Sequence, residues 1–313
     1  MILADGIAPF ASPVFATAAD GGTLTFIEAW GGALAYTFQL YFDFSGYCDM
    51  AIGISLLFGV KLPLNFYSPY KAVNVIEFWR RWHMTLSRFL RDYLYFALGG
   101  NRKGPARRYL NLMATMLLGG LWHGAGWPFI IWGALHGLYL VINHAWHQMR
   151  KALGHDLKHS TWLGHFAGMM LTFLVVVVGW VFFRAENFDA ALSILSGMAS
   201  LNGITLPSSW YGLFHWRLVQ LIESMGIHFG PLPAISGNAD MMIGWIVALW
   251  GLVWLAPNTQ QIMAGFKPVL EDVVYMGRMR WQPNILWLSS IAVVLLYAVT
   301  DMGKVSEFLY FQF

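Results

Sequence analysis

Basic residues are absent from the first 60 positions, cysteine occurs once, and charged residues make up only 11% of the 313-residue chain. A soluble domain carries about 25% charge, so the soluble two-domain organisation suggested by length alone is excluded. The single Cys48 forbids an internal disulfide and any cysteine-based metal site. The N-terminus lacks the basic start of a signal peptide and holds Asp5 instead, and its first strongly apolar run begins near Phe26. No G-x-S-x-G elbow, phosphate-binding loop or dinucleotide fingerprint occurs, so neither a serine triad nor a nucleotide fold has support. Internal repeats and flexible linkers are also lacking.

What is present in excess is apolar surface. Hydrophobic residues reach 58%, with 16 Trp and 32 Gly. Disordered, collagenous, coiled-coil and disulfide-scaffold classes are excluded, and the composition is that of a polytopic membrane protein. Stretches with little or no charge predict spans at 30–60, 109–123, 128–146, 165–183, 240–257 and 285–302. A crossing takes about 20 helical residues, and 165–183 fits best. The 30–60 stretch is long and is interrupted at Asp43-Phe44-Ser45-Gly46-Tyr47 and by Asp49. It predicts a broken crossing, or a crossing plus a re-entrant piece, buried in protein or beside water.

The net charge of +3 matters less than its distribution: ten of the 19 basic residues fall in 61–108. Their neighbours are Trp, Phe and Leu beside spans, which favours a cytoplasmic segment over a nucleic-acid surface. With 61–108 inside, the other basic clusters (Arg150, Lys151 and Lys158; Lys267, Arg278 and Arg280) return to the same side. The stretch 184–239 and the N-terminal 29 residues then lie outside, the former as interfacial helices. The expected fold is all-α and polytopic. One membrane-embedded domain covers 1–313, with 61–108 as a cytoplasmic basic, amphipathic segment.

Within that segment, Val75, Phe78, Trp79, Trp82, Leu86, Phe89, Leu90, Tyr93 and Ala97 recur at helical spacing. Glu77, Arg80, Arg81, Arg88, Arg91 and Asp92 take the opposite arc. The pattern predicts one interfacial helix from an Asn74 cap to Gly99-Gly100, with His83 on the rim of the apolar stripe. Topology and anionic lipid by themselves account for these arginines.

A helix starting at Tyr109 carries His123 roughly 21 Å into a core about 30 Å thick. The chain then breaks at Gly124 and Gly126. An ionisable side chain at that depth is a functional candidate; the alternative is a histidine satisfied by interhelical hydrogen bonds. His136, on the next span, packs against or orients it. A neutral histidine in an apolar tunnel can serve as general base on a hydroxyl, as acyl transfer from a thioester to an alcohol requires. The pairs His144/His147 and His155/His159 supply too few ligands for a metal. A transporter also fits broken spans and buried histidines, although the paired inverted repeats of the common transporter plans are missing.

Several motifs in order carry a family resemblance. They are Tyr41-Phe-Asp-Phe-Ser-Gly-Tyr-Cys-Asp-Met-Ala-Ile-Gly53, Phe78-Trp-Arg-Arg-Trp-His-Met-Thr-Leu-Ser87, Leu90-Arg-Asp-Tyr-Leu-Tyr95, Leu98-Gly-Gly-Asn-Arg-Lys103 and Leu117-Leu-Gly-Gly-Leu-Trp-His-Gly124. Phe129-Ile-Ile-Trp-Gly-Ala-Leu-His-Gly137 and Phe308-Leu-Tyr-Phe-Gln-Phe313 complete the set. The chain resembles the membrane-bound O-acyltransferases, in particular their alginate O-acetylation branch. The resemblance implies a helical bundle around a funnel, with His123 and His83 as the catalytic pair. The substrate-binding candidates around them are Arg80, Arg81, Arg91, Asp92, Trp122 and His136, with Arg88 on the same basic helix. It further implies a cytoplasmic thioester donor such as acetyl-coenzyme A, an exopolysaccharide acceptor, periplasmic polysaccharide acetyltransferases as partners, and the bacterial inner membrane. No bound cofactor, metal or nucleic acid is expected. D-alanyl transfer to teichoic acid is the alternative within the family. Relatives carry further spans before the Tyr41 motif, so the resemblance implies roughly the last two-thirds of such a protein.

Overall fold

The computed structural model describes residues 2–156, 160–235 and 238–301. Lys158, His159 and the Phe308–Phe313 motif lie outside the described residues. The chain is a helical membrane protein, and among the described residues three helices are long and apolar enough to cross a membrane: Ile2–Ala19, Trp127–Ala152 and Trp162–Arg184.

The first of these is not among the spans expected from the sequence, whose first strongly apolar run begins near Phe26. Helix α1 (Ile2–Ala19) carries two prolines yet buries Ala4, Ile7, Ala11, Val14 and Ala18 on one face. That 3- and 4-residue spacing packs it along α2 (Phe26–Leu57). Helix α2 also departs from expectation, because it runs unbroken for 32 residues through the Asp43–Tyr47 motif. The polar side chains there are satisfied laterally, so the backbone keeps its own bonds. Gln260 donates to the Asp49 carboxylate at 2.6 Å. At the start of α2, buried Glu28 accepts from the Thr25 amide, the Thr25 hydroxyl and the Ala234 amide at 2.8–2.9 Å.

The expected single helix over 75–97 is three pieces. Short α3 (Val75–Trp79) is capped by Asn74, whose side chain accepts from the Glu77 amide. A turn through His83 leads to α4 (Met84–Phe89), and Leu90–Tyr95 continue in π-type turns. The stripe divides accordingly: Phe78, Trp79, Trp82 and Leu90 are buried, whereas Phe89 and Tyr93 are exposed. Helices α5 (Gly104–His123) and α6 (Trp127–Ala152) then form a close antiparallel pair. At Gly133 a Cβ would run into the Met116 carbonyl, so glycine is what lets the two backbones approach.

Helix α7 (Trp162–Arg184) crosses beside α2 and leads to α8 (Phe188–Met198). The segment beyond is not purely helical: β1 (Ile204–Pro207) pairs in parallel with β2 (Ile227–Gly230), flanking α9 (Trp216–Ser224). Helix α10 (Ala239–Leu255), the short α11 (Thr259–Ile262) and α12 (Ile285–Asp301) follow.

Polar contacts sort the loops into two groups. The turn after α1 meets the segment after α7, where Ser193 donates to the Gly22 carbonyl and Asn202 to the Leu24 carbonyl. The basic segment instead meets the residues after α10. Lys71 donates to the Ala256 carbonyl, the Leu270 amide to the Leu62 carbonyl, and Arg88 pairs with Glu271. This partition places the basic 61–108 segment with 256–280 and away from 184–235, as the charge distribution expects.

Candidate active site

His83 and His123, 40 residues apart in sequence, line one cavity. It is walled by Leu40, Asp43 and Phe44 of α2, by Trp79, Trp82 and Leu86 around the α3–α4 turn, and by Trp132, Trp180 and Phe183 of α6 and α7. About 40 Å³ is open to water-sized guests.

His83 occupies the turn in the left-handed conformation, at φ 42° and ψ 55°. A non-glycine residue is held there only where its surroundings over-determine it. The surroundings are Asn65 and its neighbours. The Met84 amide donates to the Asn65 carbonyl at 2.9 Å, and the Tyr67 amide to the Arg81 carbonyl at 2.9 Å. The Thr85 amide and hydroxyl both donate to Asn65 Oδ1, at 3.2 and 2.9 Å. A backbone amide can only donate, so the atom facing it is the carboxamide oxygen. His83 Nδ1 lies 3.1 Å from that same oxygen and therefore carries the proton. In the neutral ring Nε2 is then the bare acceptor. It is buried and has no protein partner among the described residues. The ring packs edge-on against Phe44 with centroids 4.8 Å apart. Burial, and then the neighbouring His123, push the His83 imidazole down to about 3, so it is neutral at physiological pH.

His123 is the last residue of α5, where the Gly124 break stops the helix. Helix α5 starts five residues earlier than the sequence suggested, which places His123 roughly 29 Å from the Gly104 end. Its ring is held by Trp122, Trp132 and Phe183 at centroid distances of 5.0, 5.3 and 5.1 Å. No hydrogen bond to its nitrogens occurs among the described residues.

The other candidates separate into places. His136 is fully buried one layer behind the cavity, stacked with Phe78, edge-on to Trp79 and tilted against Trp132 and Trp180, and its ring nitrogens lack partners among the described residues. Trp122 is exposed beside His123. Arg81 pairs with Glu77 at 2.5 Å and lies over the Tyr67 ring. Asp92 pairs with Arg91 at 2.7 Å on the surface. Arg80 and Arg91 line a second groove, of about 340 Å³, with Arg108 and His144. Arg108 donates to His144 Nδ1 at 2.7 Å. The two spaces share one wall, Trp79.

Asn65, Trp180 and Phe183 escaped the sequence reading, whereas Asp43, Thr85 and Trp132 stood within its motifs without a site role. Asn65 sits in an irregular stretch with no periodicity, and the tryptophans read as ordinary span residues. No group of three His, Cys, Asp or Glu side chains suited to a metal occurs among the described residues.

Residues 15–174 match the model of the membrane-bound O-acyltransferase family. The chain is 53% identical over 207 residues to a peptidoglycan O-acetyltransferase of Helicobacter pylori, covering 66% of this chain and 37% of that protein. It is 40% identical over 317 residues to the probable alginate O-acetylase AlgI of Pseudomonas aeruginosa, covering 91% and 56%. It is 33% identical over 186 residues to a teichoic acid D-alanyltransferase of Streptococcus thermophilus, covering 55% and 45%. The chain thus spans between about two-fifths and somewhat over half of the length of these relatives. Together with the motifs that surround the two histidines, the match places this chain in the membrane-bound O-acyltransferase family.

Proposed function

We propose that the chain carries the reaction centre of a membrane O-acyltransferase that passes acetyl groups from an activated donor to hydroxyls of an extracytoplasmic polysaccharide, alginate first among them. The observation that carries this reading is the meeting of His83 and His123 in one largely aromatic cavity. The donor is a thioester, acetyl-coenzyme A or a phosphopantetheine carrier. It approaches from the basic side, where Arg80, Arg91 and Arg108 line the neighbouring groove and offer guanidinium groups to phosphate. The acceptor side faces the periplasm of an inner-membrane protein, where partner acetyltransferases complete transfer to the polymer.

In the reaction, an acceptor oxygen attacks the thioester carbonyl carbon. The new C–O bond forms, the C–S bond breaks, and the hydroxyl proton moves by way of His123 to the departing thiolate. His83 cannot donate from Nε2 while Nδ1 is the protonated nitrogen. Its role is to accept a hydrogen bond from a neighbouring hydroxyl of the acceptor and so orient the attacking oxygen, rather than to stabilise an oxyanion.

A second acceptor is supported by the 53% identity to a peptidoglycan O-acetyltransferase. Ester-bound acetate is therefore measured on both secreted polysaccharide and cell wall, in a strain lacking its own acetylation system and making this protein. His123→Ala should abolish the esters at unchanged membrane abundance. Esters that persist would remove His123 from the mechanism. Esters of D-alanine in place of acetate would move the protein to the teichoic-acid branch.

A further inference from the structure

We propose, resting on the acyl-transfer reading above, that Asp43 is a positioning residue of this reaction: its carboxylate stabilises the imidazolium that His123 becomes while it holds the acceptor's proton. Asp43 is 4% exposed and lines the same cavity as His83 and His123. Leu40, Asp43 and Phe44 border that cavity together, at the three- and four-residue spacing of a single stripe along α2. The Phe44 ring, edge-on to His83 at 4.8 Å, fixes where the stripe meets the basic segment. Apart from the two histidines, the rest of the wall is leucine, phenylalanine and tryptophan, so among the described residues that line the cavity Asp43 is the one carboxylate.

The chemistry calls for such a charge. When the acceptor oxygen attacks, its proton passes to His123, and a neutral ring becomes a cation until it hands the proton to the thiolate. The rings that hold His123, those of Trp122, Trp132 and Phe183, carry no charge to answer it. His83 cannot answer it either, because an imidazole offers no negative charge. In a space with little water a fixed carboxylate acts on a transient cation more strongly than it would in bulk solvent. Its place is set beforehand, because α2 runs unbroken through Asp43. Asp43 stays ionised throughout: the proton goes from hydroxyl to His123 to sulfur, and no bond to Asp43 forms or breaks. An acid inside a membrane span is costly and is retained for function by default. Asp49, six residues further along α2, borders a different groove and takes the hydrogen bond of Gln260, so it does not duplicate this role.

Asp43→Asn keeps the shape of the side chain and removes the charge. Membranes containing the unsubstituted chain or Asp43→Asn are supplied with acetyl-coenzyme A and alginate oligosaccharide. Thiol release is measured over a range of both, beside membrane-inserted abundance. An interaction made only while the imidazolium exists is felt in kcat and kcat/KM alike. Asp43→Asn should therefore lower kcat about a hundredfold, the scale of one acid–base contribution, and change KM less than about twofold. A kcat within about threefold of the unsubstituted chain at equal insertion would overturn the assignment, as would a loss confined to KM. If the Asn variant is not inserted, Asp43→Ala carries the comparison, assayed in sodium formate and in sodium chloride of equal strength. Formate should raise its kcat about tenfold by supplying the missing carboxylate, and equal rates in the two salts would overturn the assignment. No thiol release by the unsubstituted chain would overturn the acyl-transfer reading itself, which separates the two failures.

Discussion

At the scale of single residues, the chemistry turns on how Asn65 holds His83. One carboxamide oxygen takes three donors: the Thr85 amide, the Thr85 hydroxyl and the imidazole Nδ1 proton. The other end of the same amide donates to Cys48 Sγ at 3.1 Å, which ties the arrangement to α2. Removing the carboxamide frees the ring to take the other tautomer and strands the Thr85 amide. Asn65→Ala should therefore lower acyl transfer about tenfold, the rate equivalent of one buried hydrogen bond, with the loss in kcat and little change in KM. Thr85→Val, which spares the Asn65–His83 bond, should cost less. Steady-state kinetics on the two variants checks the order, and equal losses would remove the tautomer argument.

At the scale of elements, the basic segment is fastened to the rest of the bundle by polar contacts at its rim. Glu271, in the loop after α11, accepts from the Leu64 amide at 2.7 Å and from Arg88 at 2.5 Å. Burial acts to raise its carboxyl pKa, but the Leu64 and Arg88 hydrogen bonds outweigh burial and hold it below the ordinary glutamate value. A carboxylate held low in the folded state stabilises the fold above the unfolded-state value, about 4.3. That contribution fades as the pH falls through the lower folded value. Because both side chains are about a third exposed, the pair contributes below about 1 kcal/mol. Glu271→Gln should therefore lower the thermal midpoint in detergent slightly at pH 7, and the difference should shrink below pH 4.5. A gap that widens on acidification would contradict the assignment. The same segment shows where periodicity misleads. Residues 75–97 carry a helical stripe, yet Asn65 and the Tyr67–Arg81 pairing draw the chain into a turn at His83. That turn takes His83 from the helix rim into the core.

At the scale of the whole molecule, contacts divide the loops as the basic residues do. The turn after α1 joins the segment after α7, and the basic segment joins the residues after α10. His83 is supplied from the basic group, whereas His123 ends α5 beside Phe183, one residue before the Arg184 end of α7. The cavity is thus where structure from the two groups of loops meets, the arrangement that the proposed delivery of donor and acceptor from opposite faces requires. Orientation is open to a direct check, because one substitution, Cys48→Ser, leaves the chain without cysteine. In that background an impermeant thiol reagent should label Ser209→Cys in intact cells. It should label Lys103→Cys only after the membrane is opened. Both positions are exposed, and the reverse pattern would invert the proposed sidedness.

Composition was enough to establish a helical membrane protein and most of its long helices, and charge order to set an expectation for the sidedness of its loops. These follow from the transfer of apolar side chains out of water and from the distribution of Lys and Arg, which are properties of the chain taken locally. The motifs also singled out His83 and His123. Helix α1 escaped notice because Asp5, Pro9 and Pro13 interrupt its apolar run, and its packing against α2, α8 and α10 is what stabilises it. The unbroken α2 escaped notice for a related reason: its Asp49 is satisfied by Gln260, more than 200 residues away. The tautomer of His83, the shared wall at Trp79 and the volume of the cavity could come only from the tertiary structure. Each depends on residues from several helices reaching one point, and a hydrogen bond or a wall exists only once both sides are in place.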